Sequence, residues 1–322
     1  MKVFVKTPAR LHLGLIDLRG DLGRIFGGLG VAIDKPNVIL EAQDSNKIVV
    51  EGPKQDQVRT LVERFLNTYQ VKTGVSIRVQ KIIPEHSGLG SGTQLALAVA
   101  AALAKLFRLQ ASVQELASTM GRGKRTGIGT AIFEQGGFVI DGGKKVAKQN
   151  CQSDHFPVLL CRQPFPEDWR FVVAIPNVKR GLAKKEEMEA FKRLPPMPTE
   201  DIGKICRLTM FKLLPALLEQ EIQIFGEALT EIQILIGDYF AQVQGSRYAS
   251  LVATEVIEFM QKIGAYGVGQ SSWGPAIYGL ARGRQQAEEI EDKVQTLVNE
   301  RSGGQVFIAK ANNKGACLKI IK

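Results

Sequence analysis

The run from Leu95 to Leu103 is almost purely apolar and rich in alanine, a pattern that suits a helix buried on every side. Extended to Ala104 it is about half the length a bilayer span requires, so it belongs in a protein core. Directly before it stands Ile83-Pro84-Glu85-His86-Ser87-Gly88-Leu89-Gly90-Ser91-Gly92-Thr93-Gln94. Gly88, Gly90 and Gly92 remove the side chains that would keep backbone amides from an anion, and Ser91 and Thr93 add hydroxyl donors. The helix behind them places about half a positive charge at its first turn, which favours a phosphate there. A ligand-free strand-to-helix turn would share this composition, and the helix that follows tips the reading to an anion site. Two familiar phosphate loops do not match. No lysine follows Gly92, and Gly88-Leu89-Gly90 is not continued by glycine at Thr93.

With 322 residues and 44% hydrophobic content the chain predicts two cores, divided as residues 1–155 and 156–322. Lys and Arg outnumber Asp and Glu by 42 to 32, which favours anionic partners. Like charges do not run in blocks and aromatics are not interleaved with the basic residues, so a small anionic substrate fits better than nucleic acid. Cys151, Cys161, Cys206 and Cys317 are far apart and outside any metal-ligand spacing, which predicts a reducing, cytoplasmic setting. The start, Met1 to Lys6, is a short alternating strand rather than a secretion signal, and no membrane partner is expected.

The periodicities predict an α+β protein. Strands are expected at Lys2 to Lys6, Val38 to Gln43, Lys47 to Val50 and Val75 to Ile83, with helices over Gln55 to Tyr69, Gln94 to Phe107 and a third opened by the Ser112 and Glu115 capping-box pair. Phe138 to Ile140 reads as a strand, turned by Asp141-Gly142-Gly143 as a hairpin into Lys144 to Lys148. Further on come strands at Val158 to Cys161 and Phe171 to Ile175, and a long helical stretch from Thr199 to Phe240 that should break near Pro215. A helix from Ser250 to Ile263, a strand at Ala276 to Leu280, a helix from Arg284 to Glu300 and strands at Val306 to Ala309 and Ala316 to Ile320 imply two helices against a small antiparallel sheet.

Four polar or glycine-rich stretches are candidates for one site. The first is Pro8 to Asp17 with its continuation to Gly30, where Arg10 and His12 share a face at strand spacing. A lone histidine is more often structural; the Arg10 guanidinium suits phosphate or carboxylate. The second is the loop from Gly88 to Thr93. The third, Gly121-Arg122-Gly123-Lys124-Arg125-Thr126-Gly127-Ile128-Gly129-Thr130, sets three cations among glycines that would let them fold around a dianion, or leaves them as a solvated turn. Glu134 is its nearest carboxylate. The fourth, Gly267 to Pro275, places Trp273 among the polar groups of Gln270, Ser271 and Ser272, which points to an aromatic or sugar ligand.

Taken together these residues resemble the GHMP small-molecule kinases. Gly88-Leu89-Gly90-Ser91-Gly92-Thr93 after Pro84 is similar to their second motif, and Gly267 to Pro275 to their third. Within that superfamily the segments Arg10 to Asp17, Gly127 to Ala131 with Phe133-Glu134 and Gly136-Gly137, and Gly269 to Pro275 resemble the β-ribofuranosylaminobenzene 5'-phosphate synthases. The resemblance implies a two-domain GHMP kinase-like fold, with an N-terminal domain of the ribosomal-protein-S5 domain 2 type and a C-terminal ferredoxin-like α/β sandwich. Gly129 occupies the place of the kinases' catalytic aspartate, which points away from ATP-dependent phosphorylation.

The reaction the resemblance implies joins phosphoribosyl pyrophosphate to 4-aminobenzoate or 4-hydroxybenzoate, with release of pyrophosphate and carbon dioxide, in tetrahydromethanopterin biosynthesis. The carbon bearing the carboxylate is electron-rich because it lies para to the amino or hydroxyl group, and no ring proton has to be removed, so no strong general base is expected for that step. The resemblance then implies roles. Arg10, His12, Asp17 and Glu134 form the catalytic set. Gly88, Leu89, Gly90, Ser91, Gly92 and Thr93, with Arg122, Lys124 and Arg125, bind phosphate and pyrophosphate. Gln270, Ser271, Ser272 and Trp273 line the aryl pocket, and magnesium (Mg²⁺) sits on Asp17 or Glu134. An ATP-dependent kinase is the alternative within the superfamily, and a non-catalytic nucleic-acid module the alternative outside it. The apolar helices of the second half suggest a homodimer.

Overall fold

Alternation in Lys2–Lys6 produces strand β1, with Val3 and Val5 fully buried between more exposed neighbours. In the computed structural model the described residues are 1–146, 155–178 and 184–321, without the side chains of residues 184–188. A long hairpin follows, β2 (Ala9–Asp17) and β3 (Arg24–Ile33), then β4 (Ile39–Ser45), β5 (Val49–Glu51), helix α1 (Gln55–Thr68) and β6 (Gly74–Lys81). Next come α2 (Ser91–Leu106), α3 (Val113–Thr119), α4 (Ile128–Gln135), β7 (Phe138–Asp141), β8 (Lys144–Lys145) and β9 (Leu159–Gln163). The predicted capping box is formed, Ser112 and Glu115 each satisfying the other's backbone amide at the start of α3.

The second half holds β10 (Trp169–Pro176), α5 (Lys184–Arg193), α6 (Thr199–Leu208), a π-helical turn (Thr209–Leu213), α7 (Leu214–Leu218) and α8 (Ile222–Gln244). It ends with α9 (Leu251–Lys262), β11 (Val268–Gln270), β12 (Ile277–Arg282), α10 (Gly283–Arg301), β13 (Gly304–Lys310) and β14 (Cys317–Ile321). The long helical stretch does break, but past the proline. Pro215 sits in the first turn of α7, where its missing amide donor is tolerated, and the chain turns at Gln220, which has a left-handed φ of 59°.

Three sheets result. One runs β14-β1-β4-β6-β5, a second β2-β3-β7-β9 with β8 beside β3, and a third, fully antiparallel, β11-β12-β10-β13. Helix α2 packs against β1 and β4 of the first sheet and against α1, α3 and α4, so its alanine-rich surface is enclosed, as its sequence required. Helices α9 and α10 cover one face of the third sheet: Val172 and Ala174 of β10 meet them, while Phe171 and Val173 point into the larger core shared with the first half. The two helices on a small antiparallel sheet are therefore present as expected.

Several expectations need correction. The stretch from Pro8 onward, absent from the expected strands, is largely strand, and β2 is buried on both faces: Leu11 and Leu13 are fully buried on one side and His12 is 8% exposed on the other. The glycines of β3 are there for close packing, since a Cβ on Gly30 would come within 2.4 Å of Ile128. Asp141-Gly142-Gly143 does not fold β8 back on β7; Lys144 and Lys145 pair with Ile25 and Arg24 of β3. A division after residue 155 does not follow the sheets either. β9 pairs with β7, and β14 crosses back to pair with β1, so both complete sheets of the first half. Cys151 and the charged segment from Lys179 lie outside the described residues, and of Lys184 to Glu187 only the backbone is described.

Candidate active site

Three of the four candidate stretches meet at one point. The Ser271 hydroxyl donates to the Gly88 carbonyl at 2.8 Å and accepts from the His12 amide at 2.9 Å. Arg10 donates through Nη1 to the same Gly88 carbonyl at 3.0 Å, and its backbone amide donates to the Leu89 carbonyl at 3.1 Å. The Ser272 amide reaches the His12 carbonyl at 3.3 Å, and the Ala276 amide reaches the Ser87 carbonyl at 3.0 Å. Gly88 and Gly90 both have left-handed φ near 80°, and a Cβ on Gly90 would press to 2.7 Å from the Arg10 side chain. Glycine is needed here for conformation and for close approach together.

The loop ends at Gly90, which opens α2 with no side-chain cap, and among the described residues no acceptor meets the Ser91 or Gly92 amide. Two uncapped amides at the head of a long helix suit an anion. The third stretch joins from α4. Gln94 donates through Nε2 to the Gly129 carbonyl at 2.8 Å, and Gly129 abuts Thr93, to whose methyl a Cβ would come within 2.9 Å. Arg122 lies against Gly92, with Nη1 3.3 Å from where a side chain would begin. Burial, and then the charge of Arg64, lower its pKa, and its Nε has no hydrogen-bond partner. Lys124 is exposed, so the three cations do not close around one ligand.

Beside the loops lies a cavity of about 130 Å³ lined by Arg10, His12, Arg125, Thr126, Gln233, Arg247, Ser272 and Trp273, with Phe191, Phe240 and Tyr248. Trp273 packs edge-on against Phe240 at 4.7 Å and Phe191 at 5.6 Å between ring centroids, and Arg125 lies 4.7 Å over the Phe191 ring. Among the described lining residues there is no carboxylate. An aromatic wall with guanidinium groups is complementary to a flat anion such as an aryl carboxylate. Arg125 therefore belongs with the aromatic wall. Ser271, expected to line the aryl pocket, is fully buried and acts as the tie between loops. Gln270 borders the cavity, but its side-chain amide is already engaged, accepting from Ala249 at 2.7 Å and donating to the Ser272 carbonyl at 3.0 Å.

The expected acids stand elsewhere. Asp17 accepts from the amides of Arg19 at 2.7 Å and Gly20 at 3.0 Å, an Asx turn at the end of β2, and Glu134 is exposed near the end of α4 and does not line the aromatic cavity. Among the described residues no group of three or more His, Cys, Asp or Glu could hold a metal ion. The buried acid is Asp141, which accepts from Gly127 at 3.0 Å and Gly143 at 2.8 Å beneath the head of α4. Burial pushes its pKa up to about 6 against the pull of these amides, that of Ile128 and the Arg24 charge. It supports α4 and does not border the aromatic cavity.

Sequence reading missed Phe191, Gln233, Phe240, Arg247, Tyr248 and Asp141. The stripe Ile222, Phe225, Leu229, Ile232 and Ile236 was legible as a buried face of α8, and Gln233 next to it was the available signal. Its carboxamide donates to the Leu13 carbonyl at 2.6 Å and accepts from the Gln270 amide at 2.9 Å, joining β2 to β11.

Comparison with known proteins follows the same lines. Residues 56–137 match the GHMP kinases N terminal domain and residues 213–300 the GHMP kinases C terminal domain. The chain is 33% identical to the beta-ribofuranosylphenol 5'-phosphate synthase of Methanothermobacter thermautotrophicus, with 98% of each chain covered. It is 34% identical to the protein of the same name from Methanocaldococcus jannaschii, over 97% of this chain and 99% of that one. In fold it is similar to homoserine kinase from Cytophaga hutchinsonii, with a TM-score of 0.69 at 18% identity and coverage of 99% and 97%. With a glycine loop, an uncapped helix and an aromatic wall brought together on this fold, the chain belongs to the beta-ribofuranosylphenol 5'-phosphate synthase family of the GHMP kinase superfamily.

Proposed function

We propose that the chain joins phosphoribosyl pyrophosphate to 4-hydroxybenzoate, releasing pyrophosphate and carbon dioxide and forming the carbon-linked riboside phosphate of the methanopterin pathway. The observation that carries this reading is the cavity of aromatic rings and guanidinium groups set against the glycine loop, with no carboxylate among its described lining residues. The relatives' name specifies a phenol product, which favours the hydroxy acid over 4-aminobenzoate.

In this reading the diphosphate lies on the amides at the head of α2, where dipole and uncapped donors stabilise its departing charge. The aromatic acid lies against Trp273 and Phe240 with its carboxylate toward Arg125 or Arg247. Holding the ring carbon against the anomeric carbon supplies much of the acceleration. The residues do not fit a protein-held metal of the expected kind, since Asp17 is engaged in its turn and neither Asp17 nor Glu134 lines the aromatic cavity. Mg²⁺ would arrive on the diphosphate, and no step here depends on it.

A homodimer is proposed through the α6 to α8 surface, where Phe211 is 84% exposed and borders a groove with Leu208 and Leu235. Among the described residues no helix is long and apolar enough to cross a membrane; the cytoplasm is the proposed compartment.

The deciding experiment incubates the protein with phosphoribosyl pyrophosphate and carboxyl-labelled 4-hydroxybenzoate. Release of label as gas, dependent on both substrates, is expected. Absence of gas together with ADP formation from ATP and small alcohols would replace this reading with a kinase.

A further inference from the structure

His12 differs from every other polar group around the aromatic cavity. Among the described lining residues the other polar side chains are guanidinium groups, carboxamides and hydroxyls, with the Tyr248 hydroxyl pKa raised mainly by burial, so the imidazole is the one side chain suited to take up a proton. It is 8% exposed and borders the cavity, yet among the described residues neither ring nitrogen has a hydrogen-bond partner. A ring that faces a cavity instead of a protein partner is open to a ligand's hydrogen bond. The ring is also held in place. Its backbone amide and carbonyl are bonded to Ser271 and Ser272, one residue from Trp273, and the strand bulges between His12 and Gly14.

We propose that His12 is the general base that takes the para-hydroxyl proton of the aromatic acceptor as its ring attacks the ribosyl carbon. The inference rests on the synthase reading and adds a residue to it. As the bond forms between the carboxylate-bearing ring carbon and the anomeric carbon, the bond from that carbon to pyrophosphate breaks. The hydroxyl proton passes to one imidazole nitrogen, leaving a dienone whose ring is uncharged and whose quaternary carbon still bears the carboxylate. Loss of carbon dioxide returns its bonding pair to the ring as a phenolate, which recovers the proton from the imidazolium. Nothing is consumed beyond the two substrates.

The surroundings fit this use. Burial, and then the Arg10 charge, hold the imidazole pKa well below its ordinary value, so it is neutral and ready to accept. The groups facing it are Arg10 on its own strand, Gln233 on α8, Ser272 on the loop after β11, and Arg125 and Arg247 across the cavity. The Arg10 charge opposes an imidazolium, while Arg247 is already paired with the Asp238 carboxylate at 2.6 Å. The carboxylate and diphosphate of bound substrates offset the Arg10 charge, so the base becomes effective once both are present.

The para-amino acid supplies the test. Its nitrogen carries the positive charge as an iminium without losing a proton, so it does not need the base before decarboxylation. We expect His12→Asn to lower kcat for 4-hydroxybenzoate by about 100-fold and for 4-aminobenzoate by less than about tenfold. The gap between wild type and variant should narrow as pH rises toward ionisation of the hydroxyl itself. In the wild type alone, kcat for the hydroxy acid should show an acid limb that the amino acid lacks, a reading that survives if the variant does not fold. Equal losses on both acceptors at unchanged melting temperature, or identical wild-type pH profiles, overturn the role of His12. Turnover of 4-aminobenzoate alone also overturns it while leaving the synthase reading intact, whereas no carbon dioxide from either acid removes that reading itself.

Discussion

The hydroxyl of Ser271 donates to the carbonyl of Gly88 at 2.8 Å, fastening the glycine loop of the first half to a turn from the second. The two backbones lie so close that a Cβ on Gly88 would fall 2.2 Å from the Ser271 carbonyl oxygen, at a left-handed φ of 83°. Gly88→Ala should therefore destabilise the protein by about 2–4 kcal/mol and abolish turnover by separating the loop from the aromatic wall. Chemical denaturation and the carbon dioxide assay check it. Wild-type stability with full activity would show that the two loops need not touch.

Arg125 was expected on a phosphate, and its position over the Phe191 ring moves that expectation to the acceptor. Loss of a desolvated guanidinium over an aromatic wall is worth about 1–2 kcal/mol. Arg125→Ala should raise KM for the aromatic acid about tenfold and leave KM for phosphoribosyl pyrophosphate within about twofold. Initial rates with each substrate varied in turn decide between the two assignments; an effect confined to phosphoribosyl pyrophosphate would restore the first.

Restoring a carboxylate at position 129 should not create a kinase. A Cβ there would sit 2.9 Å from the Thr93 methyl, and the Gly129 carbonyl already accepts from Gln94. Gly129→Asp should lower the melting temperature, with a cost of about 1–3 kcal/mol, and give no ADP from ATP with homoserine, mevalonate or galactose. A coupled ADP assay gives the answer, and ATP turnover in the variant would mean that the carboxylate alone separates the two chemistries.

Asp141 makes stability depend on pH. Its folded pKa of about 6 lies above the ordinary 3.8, so the folded state binds its proton more tightly than the unfolded state does. The resulting stability is fully present below about pH 4 and is lost as pH rises through about 6, a loss of about 3 kcal/mol. Asp141→Asn, which has no charge to bury, keeps one acceptor oxygen and loses the other of these two amide bonds at every pH, but should not show that decline. Melting curves of both proteins from pH 4 to pH 8 should converge or cross as pH rises; parallel curves would place the Asp141 pKa at its ordinary value.

The loop from Gly88 to Thr93 and the enclosure of α2 were legible because each rests on local rules, glycine conformation and an apolar run too dense for a surface helix. The Ser112 cap was legible for the same reason. By contrast, Ala9 to Asp17 was not counted among the strands, although Arg10 and His12 were placed on one face at strand spacing, because β2 is buried on both faces and its pattern is that of neither a surface strand nor a helix. Phe240 and Phe191 could not be tied to Trp273, since nothing in the sequence says that α5 and α8 converge on the turn after β11. Asp141 was read only as a turn residue, because its tertiary role depends on the amides of Gly127 and Gly143 being folded over it.

Strand β14 lies almost the whole chain away from β1, yet it completes the edge of that sheet. The first lobe therefore cannot finish during synthesis until the second has been made, and contacts of such sequence separation slow folding. A nick anywhere between β9 and β14 that let the second lobe drift would leave β1 as a bare edge, a surface on which copies of the chain can stack.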